Sequence, residues 1–82
     1  MIKTHEINLN ATAFNKFTDN DNIILQDTEG KIEVNDYILF KQVEVIGEET
    51  TETGLYRMTQ VKKIITDAGL KDGYILVVLN KF

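Results

Sequence analysis

The sequence predicts one α+β domain, mainly β, made of five or six short strands and a single short helix. Three observations carry that reading. β-Branched and aromatic residues recur in short runs along the chain. Only Asn10 to Phe17 spaces its apolar side chains as a helix does. Gly, Asn and Asp fall between the runs as turn residues, and no Pro occurs in the 82 residues. A chain this short supports one hydrophobic core, because two half-size cores would not offset the entropy of ordering their segments. Its apolar fraction of 43% is that of a folded protein despite a formal net charge of -4.

In chain order, the β-branched content of Ile2 to Asn8 predicts a first strand. Leu9, Ala13, Phe14 and Phe17 share one side of a two-turn helix, and Asn10 stands where a side chain caps the free N–H groups of its first turn. The polar cluster Thr18 to Asn22 ends the helix, and Ile23, Ile24 and Leu25 form a short buried strand. Turns are expected at Glu29 and Gly30 and again at Asn35 and Asp36. Tyr37 to Ile46 supplies the next strand, Gly47 to Gly54 a solvated hairpin tip rich in Glu and Thr, and Leu55 to Thr66 the return strand. Gly69 and Gly73 bracket a loop. Tyr74 to Leu79, apolar throughout, reads as a central strand covered on both faces.

The absence of cysteine excludes disulfides and thiolate metal sites and fits a reducing, cytoplasmic setting. Met1 to Asn10 carries His5 and Glu6 where a signal peptide would be uninterruptedly apolar. The longest apolar run, Tyr74 to Leu79, is far short of the ~20 residues of a membrane helix. The expectation is a chain neither exported by that route nor spanning a membrane.

Four segments together carry a resemblance: His5-Glu6-Ile7, the helix Phe14 to Phe17, Val34-Asn35-Asp36 before a strand, and Gly69-Leu70-Lys71-Asp72-Gly73-Tyr74 before the last strand. In order and spacing, along nearly the whole chain, they resemble small bacterial and phage proteins of the ASCH and PUA-like superfamily. The match is to a family of unknown function that opens on His-Glu-apolar, carries a Val-Gly-Asp turn and closes on Gly-Leu-Lys-acid-Gly-Tyr. The resemblance implies a PUA-like mixed pseudo-barrel with the helix across one opening. It also implies binding of single-stranded or structured RNA, or of a nucleotide or modified nucleoside, in a cleft beside the helix. Relatives place basic residues along the segment that this chain fills with Asp19, Asp21, Asp27 and Glu29, with no Lys or Arg between Lys16 and Lys31. Asn35 replaces the turn glycine, a tolerable change because Asn also visits the left-handed region.

Phosphate neutralisation supplies most non-specific nucleic-acid affinity, and 13 acidic against 9 basic residues repel a polyanion on average. Any RNA site is therefore local. Arg57, Lys62 and Lys63 lie in a stretch, Gly54 to Thr66, without a single carboxylate, which makes them the best candidate phosphate contacts. A plain solvated strand face is the weightier alternative. Lys3 and His5 join them from the first strand; the resemblance places His5 near the cleft, where an imidazole can stack on or hydrogen-bond a base, as readily as it can bond a neighbouring backbone group. Among the aromatic residues most are expected in the core, with Tyr74 the best candidate for an exposed contact because Gly73 precedes it.

Other chemistry finds little support. Adjacent strand residues face opposite ways, so His5 and Glu6 cannot converge on one metal ion, and no second His or any Cys exists; no cofactor is expected. Ser is absent, and Lys3, Thr4 and Glu6 do not reproduce the spacing of the superfamily branch that hydrolyses an amide on a modified nucleoside, so an amidase-like enzyme ranks third. The acidic tip of Glu44, Glu48, Glu49 and Glu52 lacks a calcium-loop pattern. The rival to nucleic-acid binding is a protein-interaction domain that presents its acidic Asp19 to Glu29 segment to a basic partner.

Overall fold

A computed structural model of the chain describes residues 2–27, 31–66 and 69–82. Five strands and a helix follow in the order β1 (Thr4–Leu9), α1 (Ala11–Asp19), β2 (Asn22–Gln26), β3 (Tyr37–Ile46), β4 (Glu49–Ile65) and β5 (Tyr74–Lys81). The strands join in one mixed sheet of order β1-β3-β4-β5-β2. β1 runs parallel to β3, and every other neighbouring pair is antiparallel. Parallel neighbours require a long crossover. Here α1, β2 and the following loop provide it, so the chain leaves β1 at one edge and enters β2 at the other.

The helix forms where its caps and its apolar face agree. Asn10 Oδ1 accepts from the Ala13 N–H at 2.8 Å, and Asn20 closes the other end by donating from its side chain to Lys16 and from its backbone to Phe17. Phe14 and Phe17 point to the sheet, where the Phe17 ring lies 4.4 Å from the Phe40 ring between centroids. Lys81 Nζ sits over the Phe17 ring, 5.0 Å from its centroid, and donates to Thr18 O at 2.9 Å, tying the helix to β5. Alternation along the strands completes the core with Leu25, Ile38, Phe40, Val61, Ile75, Val77 and Leu79.

Two bulges interrupt the pairing of β4. Between Lys41↔Tyr56 and Val43↔Glu52, residues Thr53, Gly54 and Leu55 oppose Gln42 alone, with Gly54 at φ +91°. Between Val61↔Leu79 and Lys63↔Val78, Lys62 is the extra residue. Beyond the first bulge, the strands continue as a two-stranded ribbon in which every residue from Glu44 to Glu52 is exposed, as are the bulge and the two residues after it, up to Arg57.

Several expectations change. The first strand starts at Thr4 and ends at Leu9, and the helix runs on to Asp19. The hairpin tip shrinks to a turn at Gly47 and Glu48, because the Glu- and Thr-rich residues after it pair with β3 as strand. β5 does lie inside the sheet, yet only Ile75, Val77 and Leu79 are buried while Leu76 and Val78 are half-exposed, so one face is covered and not two. Of the aromatic residues, only Phe14, Phe17 and Phe40 are buried; Tyr56, Tyr74 and Phe82 are exposed. The expected turn at Glu29 and Gly30 lies outside the described residues.

Phe17, 1% exposed, joins helix to sheet. Phe17→Ala is expected to cost about 3–5 kcal/mol in urea unfolding, a large part of the stability of a domain this small. Phe82→Ala, at an exposed position, is expected to cost under about 1 kcal/mol in the same assay.

Candidate functional site

The start of the parallel pair is held by one carboxylate. Asp36, only 1% exposed, ends the turn before β3. Its Oδ1 accepts from the Lys3 backbone N–H at 3.1 Å, and its Oδ2 accepts from the Glu33 N–H at 3.0 Å and meets His5 Nε2 at 2.8 Å. Burial pushes the Asp36 carboxyl up. The His5 hydrogen bond, the two backbone N–H groups and the His5 charge together outweigh it and hold the group below the ordinary 3.8. Its backbone carbonyl accepts from Val61 N–H, while Asn35, at φ +78°, donates back to Val61 O. One residue thus fastens β1, the turn and β4.

His5 is therefore bonded to a buried side chain 31 positions away, and not to a neighbouring backbone group as the simpler expectation had it. Lys3 joins it through its backbone only. The remaining candidates do not gather there. Arg57 pairs with buried Phe40 and so belongs to the core-side face of β4, past the end of β5. Lys63 pairs with Val78 and belongs to the outer face. Six positions apart on a regular strand these two would share a face; the extra residue Lys62 reverses the alternation between them. Tyr74 lies at the far start of β5, beside Ile24, Leu70 and Lys71. The six candidates form no single contact line.

A hollow of about 600 Å³ opens instead between the first turn of α1 and the root of the ribbon, lined by Asn10, Ala11, Thr12, Gln42 to Val45 and Thr53. Gln42 sets its chemistry. It is 8% exposed, and the Thr53 hydroxyl donates to its Oε1 at 2.8 Å while accepting from the Leu55 N–H at 3.4 Å. With the carbonyl so engaged, the Gln42 amino group has no hydrogen-bond partner among the described residues. Glu44 is the one charged lining residue. The neighbouring cation Lys41 is held between Glu6 and Glu52, 3.1 Å from each, and these two carboxylates raise its pKa above the ordinary 10.5. The hollow offers hydrogen-bonding and apolar surface and no positive charge for a phosphate.

The other sequence-level readings meet plain geometry. Asp27 accepts from the Lys31 and Ile32 N–H groups and Asp21 lies 3.9 Å from Lys81, so two of the three carboxylates in the described part of the acidic segment contact the fold, while Asp19 is exposed. Thr4 and Glu6 share the outer face of β1, with Glu6 engaged by Lys41. Among the described residues no three His, Cys, Asp or Glu side chains cluster as metal ligands, and no helix is long and apolar enough to cross a membrane. Comparison with protein-family models and with curated proteins finds no match to the chain.

Sequence reasoning missed two residues. Asp36 was legible only as a turn former, although the two motifs of the resemblance, His5-Glu6-Ile7 and Val34-Asn35-Asp36, turn out to be the two halves of one hydrogen-bonded pair. Gln42 carried no signal, because an isolated Gln inside a strand reads as a solvent-facing residue.

Asp36→Ala leaves three donors without an acceptor and is expected to cost about 3–5 kcal/mol at neutral pH. Because the folded pKa lies below the unfolded one, the contribution of this carboxylate is complete above 3.8 and fades as the pH falls toward the folded value. Chemical unfolding followed between about pH 5 and 2 should show wild type losing stability through that window, and Asp36→Asn losing distinctly less.

Proposed function

We propose that the chain is a PUA-like binding module whose ligand is an unpaired RNA base or a nucleoside, received in the hollow between α1 and the ribbon root. On this reading the mixed sheet is the PUA-like pseudo-barrel, with α1 across its opening. The observation that carries the proposal is Gln42, a largely buried residue that lines a hollow of ligand size with its carbonyl held by Thr53 and its amino group without a partner among the described residues. An amide donor held in place in this way suits a carbonyl oxygen presented edge-on, and uracil, cytosine and guanine all carry one. Asn10 and Thr12 add further polar groups, and Val43 and Val45 supply apolar surface for a ring. The ligand class rests on the family resemblance, whose His5 and Asp36 motifs meet in one hydrogen bond in this chain.

The lining also separates this ligand from a phosphate backbone. With Glu44 its one charge, the hollow suits the uncharged face of a base and repels the polyanion next to it. Binding of a free nucleoside then depends weakly on salt, unlike binding through released counterions.

Titration of the isotope-labelled chain with uridine, cytidine, adenosine, guanosine and a short single-stranded RNA tests this. Amide shifts are expected at Asn10 to Thr12, Gln42 to Val45 and Thr53. Gln42→Leu is expected to weaken binding about tenfold, the equivalent of one hydrogen bond of about 1.4 kcal/mol. The reading fails if millimolar nucleoside moves none of these signals, or if RNA moves only Lys62 and Lys63 with a steep salt slope.

A further inference from the structure

Two polar side chains of β3 line the hollow in a fixed order. Gln42 and Glu44 stand two positions apart on a strand that keeps its alternation, because the extra residues of the bulge belong to β4, so both side chains fall on one face. Two such positions are roughly 6.5 Å apart, a spacing that the hydrogen-bonding edge of a flat heterocycle can bridge. β1 stops opposite Gln42, so from Val43 onward β3 has an open edge beside Asn10 to Thr12, where a ring can enter.

The two groups differ in kind. Gln42 has committed its side-chain carbonyl to the Thr53 hydroxyl and keeps two N–H donors. Glu44 is a carboxylate, with two acceptor oxygens and no donor. Glu6 and Glu52 nearby are occupied by Lys41, whereas Glu44 has neither an ionic nor a hydrogen-bond partner among the described residues. Along β3 the hollow therefore offers a donor, then an acceptor, then a second acceptor. Cytosine presents the same series to guanine in a base pair. We infer that the hollow, on the reading that it receives a nucleobase, selects guanine: the Gln42 amino group donates to O6, and the Glu44 carboxylate accepts from N1–H and from the 2-amino group, one on each oxygen.

The other bases cannot fill this series. Uracil sets a single N–H between two carbonyl oxygens, one of which must then face the carboxylate. Cytosine and adenine carry an amino group beside a ring-nitrogen lone pair, which again opposes acceptor to acceptor. Two-point, charge-assisted bonding of guanine to a carboxylate is the strong arrangement, and the same charge repels a misplaced acceptor. The charge that turns away a phosphate backbone thus chooses the base.

Titration of the isotope-labelled chain with guanosine, inosine, uridine, cytidine and adenosine tests the inference. Glu44 is exposed, so water competes for it, and guanosine is expected to bind about tenfold more tightly than uridine, cytidine or adenosine. Inosine keeps O6 and N1–H but lacks the 2-amino group, and is expected to bind about threefold more weakly than guanosine. Glu44→Gln is expected to bring the ratio of guanosine to uridine affinity down to about two or less. The amide spectrum of the variant checks that it folds. Nucleosides that shift the hollow's signals without preferring guanosine overturn this inference and leave the hollow a base site. An unchanged ratio in Glu44→Gln overturns it too, as does inosine bound as tightly as guanosine. If no nucleoside moves those signals, the reading of the hollow fails and the inference with it.

Discussion

The Asp36 carboxylate is the contact on which the arrangement of the sheet depends. Parallel strands far apart in sequence have no tight turn to set their register, so something else must fix where β1 meets β3. Asp36 does so from the position just before β3, by accepting from Lys3 and His5 at the start of β1 while Tyr37 donates to Lys3 O at 2.9 Å. A slip of one residue would strip the acid of its donors and also turn Ile7 and Leu9 away from Phe14 and Phe17. Hydrogen bonding and core packing thus select the same register. An unpaired buried carboxylate is far more costly than a paired one is stabilising, so this contact acts chiefly by penalising alternatives.

From that fixed origin the bulges decide where side chains point. The first, opposite Gln42, lets β4 take up three residues against one and sends the ribbon away from the body. Gln42 faces inward by the ordinary alternation of β3, two positions past buried Phe40, and the bulged segment of β4 brings Thr53 to it. The hollow beside α1 and the exposed ribbon therefore meet at one local insertion. The second bulge, at Lys62, sets which cations share a face. Neither bulge changes the strand order, yet together they determine the chemistry of the surface.

Local signals were readable where a side chain answers to its immediate neighbours. Asn10 as helix cap, the helix face of Ala13, Phe14 and Phe17, and the strand from Tyr37 to Ile46 all follow from spacing that the structure repeats. Signals failed where burial depends on distant partners. Glu49 to Gly54 is as solvated as its polar residues suggest, yet Glu49 to Glu52 pair with β3 as strand. Tyr56 and Phe82 look like core because they are large, yet the chain runs out of sheet to cover them. Asp36 looks like a turn because Asp forms turns, and only the fold brings His5 to it. The strip of Arg57, Lys62 and Lys63 is legible as composition, whereas its division between two faces depends on one inserted residue.

The ribbon carries the last step. Ordering each backbone residue opposes folding by roughly 1–2 kcal/mol, and residues Glu44 to Arg57, all exposed, recover little of that by burial. Two contacts hold its root: Lys41 between Glu6 and Glu52, and Thr53 on Gln42. The first is an exposed ion pair of small net value, so the Gln42 to Thr53 bond, beside the hollow, is the stronger constraint. Local opening should therefore begin at the turn of Gly47 and Glu48 and stop at that bond. A ligand in the hollow that engages the Gln42 amino group would stiffen the same bond, and with it the root of the hairpin.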